Sequence, residues 1–146
     1  MNKRKKKRII LWSICGGLAV LLLIFNCFFS IAFVIGESML PTYHDGQFLL
    51  TVKNYSIERF DVVTIYHDGV LIKRVIGMPN DTIKYQDNVL YINGEPMEDP
   101  YNTVTEDFEV TLGENEYFCM GDNREESWDS RRFGAFSRDI ILTEVV

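Results

Sequence analysis

The sequence predicts a mainly β domain of coiled antiparallel sheets, hung from one N-terminal transmembrane helix. Three observations carry this. Residues 9–35 form a run of 27 without a charge. Beyond it, short β-branched and aromatic stretches alternate with turn signals. No stretch past residue 35 holds a long apolar period of 3.6 residues. About 110 of the 146 residues follow the uncharged run, enough for one core.

The N-terminal elements come first. Residues 1–8, MNKRKKKR, hold six of the fifteen basic residues. As one helix the uncharged run would be about 40 Å long, against a hydrocarbon core of about 30 Å. Residues 9–29 are therefore expected to cross the membrane. Residues 30–35, with Ile31, Phe33, Val34 and Ile35, are expected to leave it as extended chain. The positive-inside rule then puts 1–8 in the cytoplasm and 30–146 outside it. The apolar stretch of a cleavable secretory signal is about 7–15 residues. This one is longer, so the helix is expected to stay as an anchor despite the small residues at Ser30-Ile31-Ala32.

Strands are expected at 47–53, 62–66 and 70–76, the last two joined by His67-Asp68-Gly69. Residues 82–85 and 89–92 flank Asp87-Asn88, and Asn93-Gly94 makes a further turn. Residues 108–112, 117–120 and 140–146 complete the set. Between them, 95–115 carries seven acidic residues and no basic one, and reads as a solvated loop.

Charge and composition exclude several functions. All twenty-one acidic residues lie in 36–146 beside nine basic ones, a formal net charge of −12. Such a surface repels phosphates, so no nucleic-acid partner is expected. Three cysteines cannot make a disulfide framework. Cys15 and Cys27 fall in the membrane segment, and Cys119, in an apolar run, reads as a core residue. No Cys or His pair has zinc-ligand spacing, so no metal is expected. His44 and His67 read as surface residues, and nothing in the spacing favours a Ser38-His67-acid triad. Asn54-Tyr55-Ser56 matches a glycosylation tripeptide, common by chance.

Three segments carry chemistry. Gly36-Glu37-Ser38-Met39-Leu40-Pro41-Thr42 sets a serine at a turn just past the membrane exit. In 71–81, LIKRVIGMPND, alternation puts Leu71, Lys73 and Val75 on one strand face and Ile72, Arg74 and Ile76 on the other. Each face holds a base among hydrophobes, so periodicity leaves open which is buried. Burial disfavours an ammonium ion, and a serine beside a desolvated lysine is a nucleophile activated without histidine. The third segment, 121–134, GDNREESWDSRRFG, is dense in turn formers, and Asp129 and Arg131 suit a local ion pair.

Together the blocks GESMLPT (36–42), RFDVVTI (59–65), KRVIGMPND (73–81) and GDNRxxSxDSRxFG (121–134) resemble the type I signal peptidases of the bacterial Ser-Lys kind. The resemblance runs from the anchor to the C-terminus. It implies a membrane-anchored serine endopeptidase that removes signal peptides from exported preproteins after small residues. In that scheme Ser38 is the nucleophile and Lys73 the general base. Ser127 orients the lysine amine, and Asp129 and Arg131 form a structural ion pair near the site. The family's oxyanion donor is the nucleophile's N–H. Some members add a hydroxyl two residues earlier, where this chain has Gly36, so the second donor is a backbone group or water. Ile35, Gly36, Leu71 and Ile72 would flank the substrate's extended segment. Endoplasmic-reticulum relatives carry histidine at the base position, so Lys73 implies a bacterial plasma-membrane enzyme or an organellar one of bacterial descent. The implied partners are preprotein signal peptides and membrane lipid, with no cofactor and no metal. Family members generally continue past the stretch matching 140–146. The alternative is an inactive membrane-anchored binding module of the same fold, its site unformed because the chain stops there. A second rival is a self-cleaving Ser-Lys regulator, which normally carries a DNA-binding or partner domain.

Overall fold

The computed structural model describes residues 3–53, 55–101 and 105–146. Residues 1 and 2 of the basic head, Asn54 of the glycosylation tripeptide and 102–104 of the polar stretch lie outside the described residues.

The chain opens on helix α1, Lys3–Phe28. Its Arg4–Phe28 portion is long and apolar enough to cross a membrane, and its apolar window is wholly unburied by the protein. Such a face needs a lipid surround, since side chains like Trp12 and Leu23 find no protein core. Among the described residues it is the one helix long and apolar enough to serve as a membrane anchor. Strand β1, Phe29–Phe33, follows with no loop and pairs antiparallel with β2, Phe48–Val52. Phe29 is thus the first residue of β1, opposite Val52. Lys53 ties the junction together. Its N–H donates to Phe28 O at 2.9 Å and its Nζ to Asn26 O at 2.7 Å.

The remaining strands are β3 (Val62–Tyr66), β4 (Val70–Gly77), β5 (Thr82–Gln86), β6 (Val89–Ile92), β7 (Glu95–Met97), β8 (Phe108–Thr111), β9 (Glu116–Met120), β10 (Phe136–Ser137) and β11 (Ile141–Val145). A one-turn helix α2, Ser130–Phe133, precedes β10. The strands form two sheets, seven-stranded in the order β1-β2-β11-β3-β4-β9-β10 and four-stranded in the order β7-β6-β5-β8. Every pairing is antiparallel, so the predicted fold class holds.

Local chemistry explains the turns. Asp87 and Asn88 both have positive φ (50° and 63°), as do Asn93 and Gly94 (53° and 86°), the requirement of tight hairpin turns. The longest strand, β4, lies inside the large sheet between β3 and β9. Two apolar clusters meet along it. Ile72 packs with Val34, Met39, Leu49 and Val62, while Val75 packs with Val63, Ile65 and Cys119.

The polar stretch 95–115 corrects the solvated-loop expectation. Residues 95–97 form edge strand β7, where Pro96 is tolerated because an edge leaves one side of the ladder unpaired. The Asp99 side chain is 1% exposed and faces the wholly buried Arg124 guanidinium, Nη2 to Oδ1 3.0 Å, with the Tyr85 hydroxyl also donating to it. An ion pair with a residue 25 positions away is what allows an acid in this stretch to be buried.

Candidate active site

Ser38 sits in the connection between β1 and β2. Val34 N–H donates to Gln47 O at 2.9 Å and Gly46 N–H to Val34 O at 3.0 Å, which brings the two ends of the connection together. Gly36 turns the chain at φ +87°, a region that a Cβ disfavours, and gives its N–H to Asp45 Oδ1 at 2.7 Å. Met39 is 1% exposed and pins the turn into the apolar cluster with Ile72. Its neighbour Ser38 is left half-buried at the surface of that cluster.

Lys73, on β4 opposite Val63, is 3% exposed, and its Nζ donates to Ser38 Oγ at 2.7 Å. Burial holds the Lys73 amine below the ordinary lysine pKa, although the carboxylates of Asp129 and Asp122 pull the other way. Arg74 is covered as well. Its Nε and Nη2 grip Asp122 at 2.8 and 2.7 Å, its Nη1 donates to Phe60 O, and Tyr101 lies under the guanidinium. Both bases on β4 are thus engaged by protein, which is why alternation could not separate them. Only Lys73 bonds the serine.

The segment after β9 closes around this pair. A Cβ on Gly121 would lie 2.2 Å from Ser127 Oγ and 2.5 Å from Ser38 O, so only glycine lets the Ser38 turn and Ser127 converge here. Asp129, with no exposed surface, accepts from Gly121 N (3.0 Å) and from Arg131 Nε (2.9 Å) and Nη2 (2.8 Å), and caps α2. Burial alone would raise its pKa. The hydrogen bonds from Arg131 and the Gly121 N–H outweigh burial and hold the carboxyl below its usual range. Arg131 also donates to Arg124 O at 2.7 Å, binding the segment to itself.

The other expected site residues fall as follows. Ser127 is buried beside Gly121, its hydroxyl near enough to Asp129 to help hold that carboxyl low, and no hydrogen bond joins its Oγ to Lys73 among the described residues. Ile35, Leu71 and Ile72 line a cleft of about 70 Å³ together with Ser38, Lys73 and Val70. Gly36 precedes it with its N–H already committed to Asp45. His67 packs its ring on Phe133 at 4.5 Å and Phe136 at 5.7 Å. Cys119 is wholly buried, and that burial pushes its thiol pKa up. Three contributors went unsingled in the sequence: Gly121, the Arg74–Asp122 pair and the Asp99–Arg124 pair. The only local signal was that Gly121, Asp122 and Arg124 stand together in one turn-rich block.

A serine hydroxyl is thus bonded to a buried lysine, on a β scaffold next to a helix long and apolar enough to cross a membrane. Comparison with known proteins narrows this. Residues 7–146 match the family described as signal peptidase, peptidase S26. The chain is 38% identical to signal peptidase I S of Bacillus subtilis (strain 168) over 162 residues, 96% of this chain and 88% of that protein. It is 41% identical to signal peptidase I V of the same organism over 163 residues, 94% of this chain and 95% of that protein. Among solved structures, a signal peptidase I from Enterococcus faecalis V583 superposes with TM-score 0.59 at 30% identity, over 63% of this chain and 98% of that one. The chain belongs to the signal peptidase family, peptidase S26.

Proposed function

We propose that this chain is a serine endopeptidase that cuts signal peptides from exported preproteins through a Ser38-Lys73 dyad. The observation that carries the proposal is the 2.7 Å contact between Lys73 Nζ and Ser38 Oγ, made by a lysine 3% exposed. The neutral amine takes the hydroxyl proton as Oγ attacks the carbonyl carbon after a small residue. The carbonyl oxygen becomes an oxyanion facing the Ser38 N–H, which has no acceptor among the described residues. Collapse breaks the C–N bond, and the departing amine takes the proton back from the Lys73 ammonium. Lys73 then deprotonates a water that hydrolyses the serine ester.

Other features support the same reading. The cleft beside the dyad, about 70 Å³, is far below the hundreds of Å³ of a drug-sized ligand pocket and suits a short side chain. Asp129 and Arg131 hold the segment that backs the site. The six bases of the head favour a cytoplasmic N-terminus in a bacterial plasma membrane, with the β domain outside. Ser38 follows the helix end, Phe28, by ten residues, five of them in β1. A preprotein held by its own apolar segment meets the site there at raised effective concentration.

The test is cleavage of a model preprotein in detergent or vesicles, with the wild-type chain and with Ser38→Ala. Mature product from the wild type and none from the variant is the expected result. Binding without cleavage by both would establish the binding module instead.

A further inference from the structure

We propose that Asn123 is a positioning residue: by holding the Glu37 carbonyl it aims the Ser38 N–H at the oxyanion. The inference rests on the Ser38 reading above. The peptide unit between Glu37 and Ser38 is planar and trans, and the only cis bond among the described residues is Leu40–Pro41. The Glu37 C=O and the Ser38 N–H therefore lie at opposite ends of one rigid plane. Rotating that plane moves both together.

Burial does not fix the plane. Glu37 is exposed, and the residue before it is Gly36, at φ +87° and without a Cβ. Hydrogen bonds do fix it. Glu37 O accepts from Leu40 N at 3.1 Å, within the turn, and from Asn123 Nδ2 at 3.1 Å, from across the site. Asn123 also gives its own N–H to Ser38 O at 3.0 Å. One residue thus holds both carbonyls that flank the nucleophile. Its backbone bond survives a side-chain substitution, so a change at 123 removes only one of the two hydrogen bonds that hold the Glu37–Ser38 plane, leaving the one from Leu40. Asn123 makes no hydrogen bond to Ser38 Oγ or Lys73 Nζ, so its side chain acts on the oxyanion donor and not on the base.

The experiment compares hydrolysis of an alanyl peptide ester with that of its thionoester, in which the carbonyl oxygen is sulfur. Sulfur is a poor hydrogen-bond acceptor and depends little on an aimed N–H. Losing an oxyanion donor outright costs about 10²–10³ in kcat, and misaiming a retained donor should cost about tenfold. Asn123→Ala is expected to lose about that factor in kcat on the oxygen ester with KM unchanged, and little on the thionoester. The oxygen-to-sulfur ratio should then fall about tenfold, with the pH midpoint of kcat unmoved. Being a ratio within one preparation, it is independent of the folded fraction. Asn123→Asp, nearly isosteric but without the amide donor, should move the ratio the same way. For Asn123→Ala, which adds no charge, equal losses on both esters, no loss at all, or a displaced pH midpoint overturns the inference. If the wild type hydrolyses neither ester in a Ser38-dependent way, the peptidase reading falls first and this one with it.

Discussion

Lys73 is held where a charged amine is unfavourable, and the consequences can be measured at that one residue. Its ordinary pKa is about 10.4, and burial lowers it in the folded chain. Between the folded and unfolded values the unfolded chain binds the extra proton. Stability therefore falls as pH drops from about 10.4 towards the folded pKa, and the penalty is constant below it. Lys73→Met, close in volume and uncharged, is expected to abolish cleavage yet raise the melting temperature near neutral pH. That gain should shrink as pH approaches 10 to 11, roughly the free lysine value. Thermal melts of both proteins from pH 6 to 10 check this, and a variant less stable at neutral pH would contradict it. Catalysis follows the same proton in the same sense. The rate should climb with pH and level off once the amine is neutral. Lys73→Arg should be inactive, since a guanidinium stays protonated in proteins.

At the scale of elements, the segment 121–131 joins the two sheets, and its ion pairs differ in what they are worth. Arg124 and Asp99 have 0% and 1% exposed side chains, whereas Arg59, paired with Asp81, is 22% exposed. Asp99→Leu strands a guanidinium in the interior and should cost about 3–5 kcal/mol. Arg59→Met leaves a less buried partner and should cost nearer 1 kcal/mol. Urea titrations of the two variants separate these values, and equal losses would contradict the burial assignment. Asp99 and Asp129 also set the acid limit. Both carry carboxyls held below the usual range, where hydrogen bonds from Arg124 and Arg131 outweigh the burial that would raise them. Their contribution is complete above the unfolded carboxylate pKa of about 3.9 and is lost as pH falls through the depressed folded values. Melts should therefore hold steady down to about pH 4 and fall away below it.

The same elements show what a sequence discloses. Strands with β-branched residues between Gly, Asn and Asp turns were legible, because propensity and turn chemistry are local. β7 and β10, three and two residues long, were not, since neither is long enough to show alternation. Asp99 looked solvated because its acidic neighbours are, and its partner lies 25 residues away. Ser38 and Lys73 were legible as members of a resembling pattern. The face of β4 that would be buried was not, because both are. Gly121 and Asn123 matter through close approach and through a hydrogen bond to a backbone carbonyl, neither of which leaves a periodic trace.

The whole molecule is a β domain on a helix that touches it little, and the joint decides where the two can be separated. The helix end is held by two hydrogen bonds from Lys53, to Phe28 O and Asn26 O. The apolar window of α1 finds no protein cover. β1, although it follows the helix without a break, belongs to the sheet, paired with β2 from Phe29–Val52 to Phe33–Phe48. A chain of residues 29–146 keeps that pairing. A chain of 36–146 loses it, along with Val34, a member of the cluster that seats Met39 beside the serine. The 29–146 chain is therefore expected to fold and to cleave a short soluble peptide at the full chain's rate. The 36–146 chain should be less stable and slow on the same peptide. On a preprotein embedded in vesicles even 29–146 should fall about a hundredfold or more behind the full chain, because enzyme and substrate no longer share one surface. Measuring kcat/KM for all three chains on both substrates decides it. If 29–146 matches the full chain on the vesicle-held preprotein, the helix does not serve to bring site and substrate together. If 36–146 matches 29–146 on the peptide, β1 is not what seats the nucleophile.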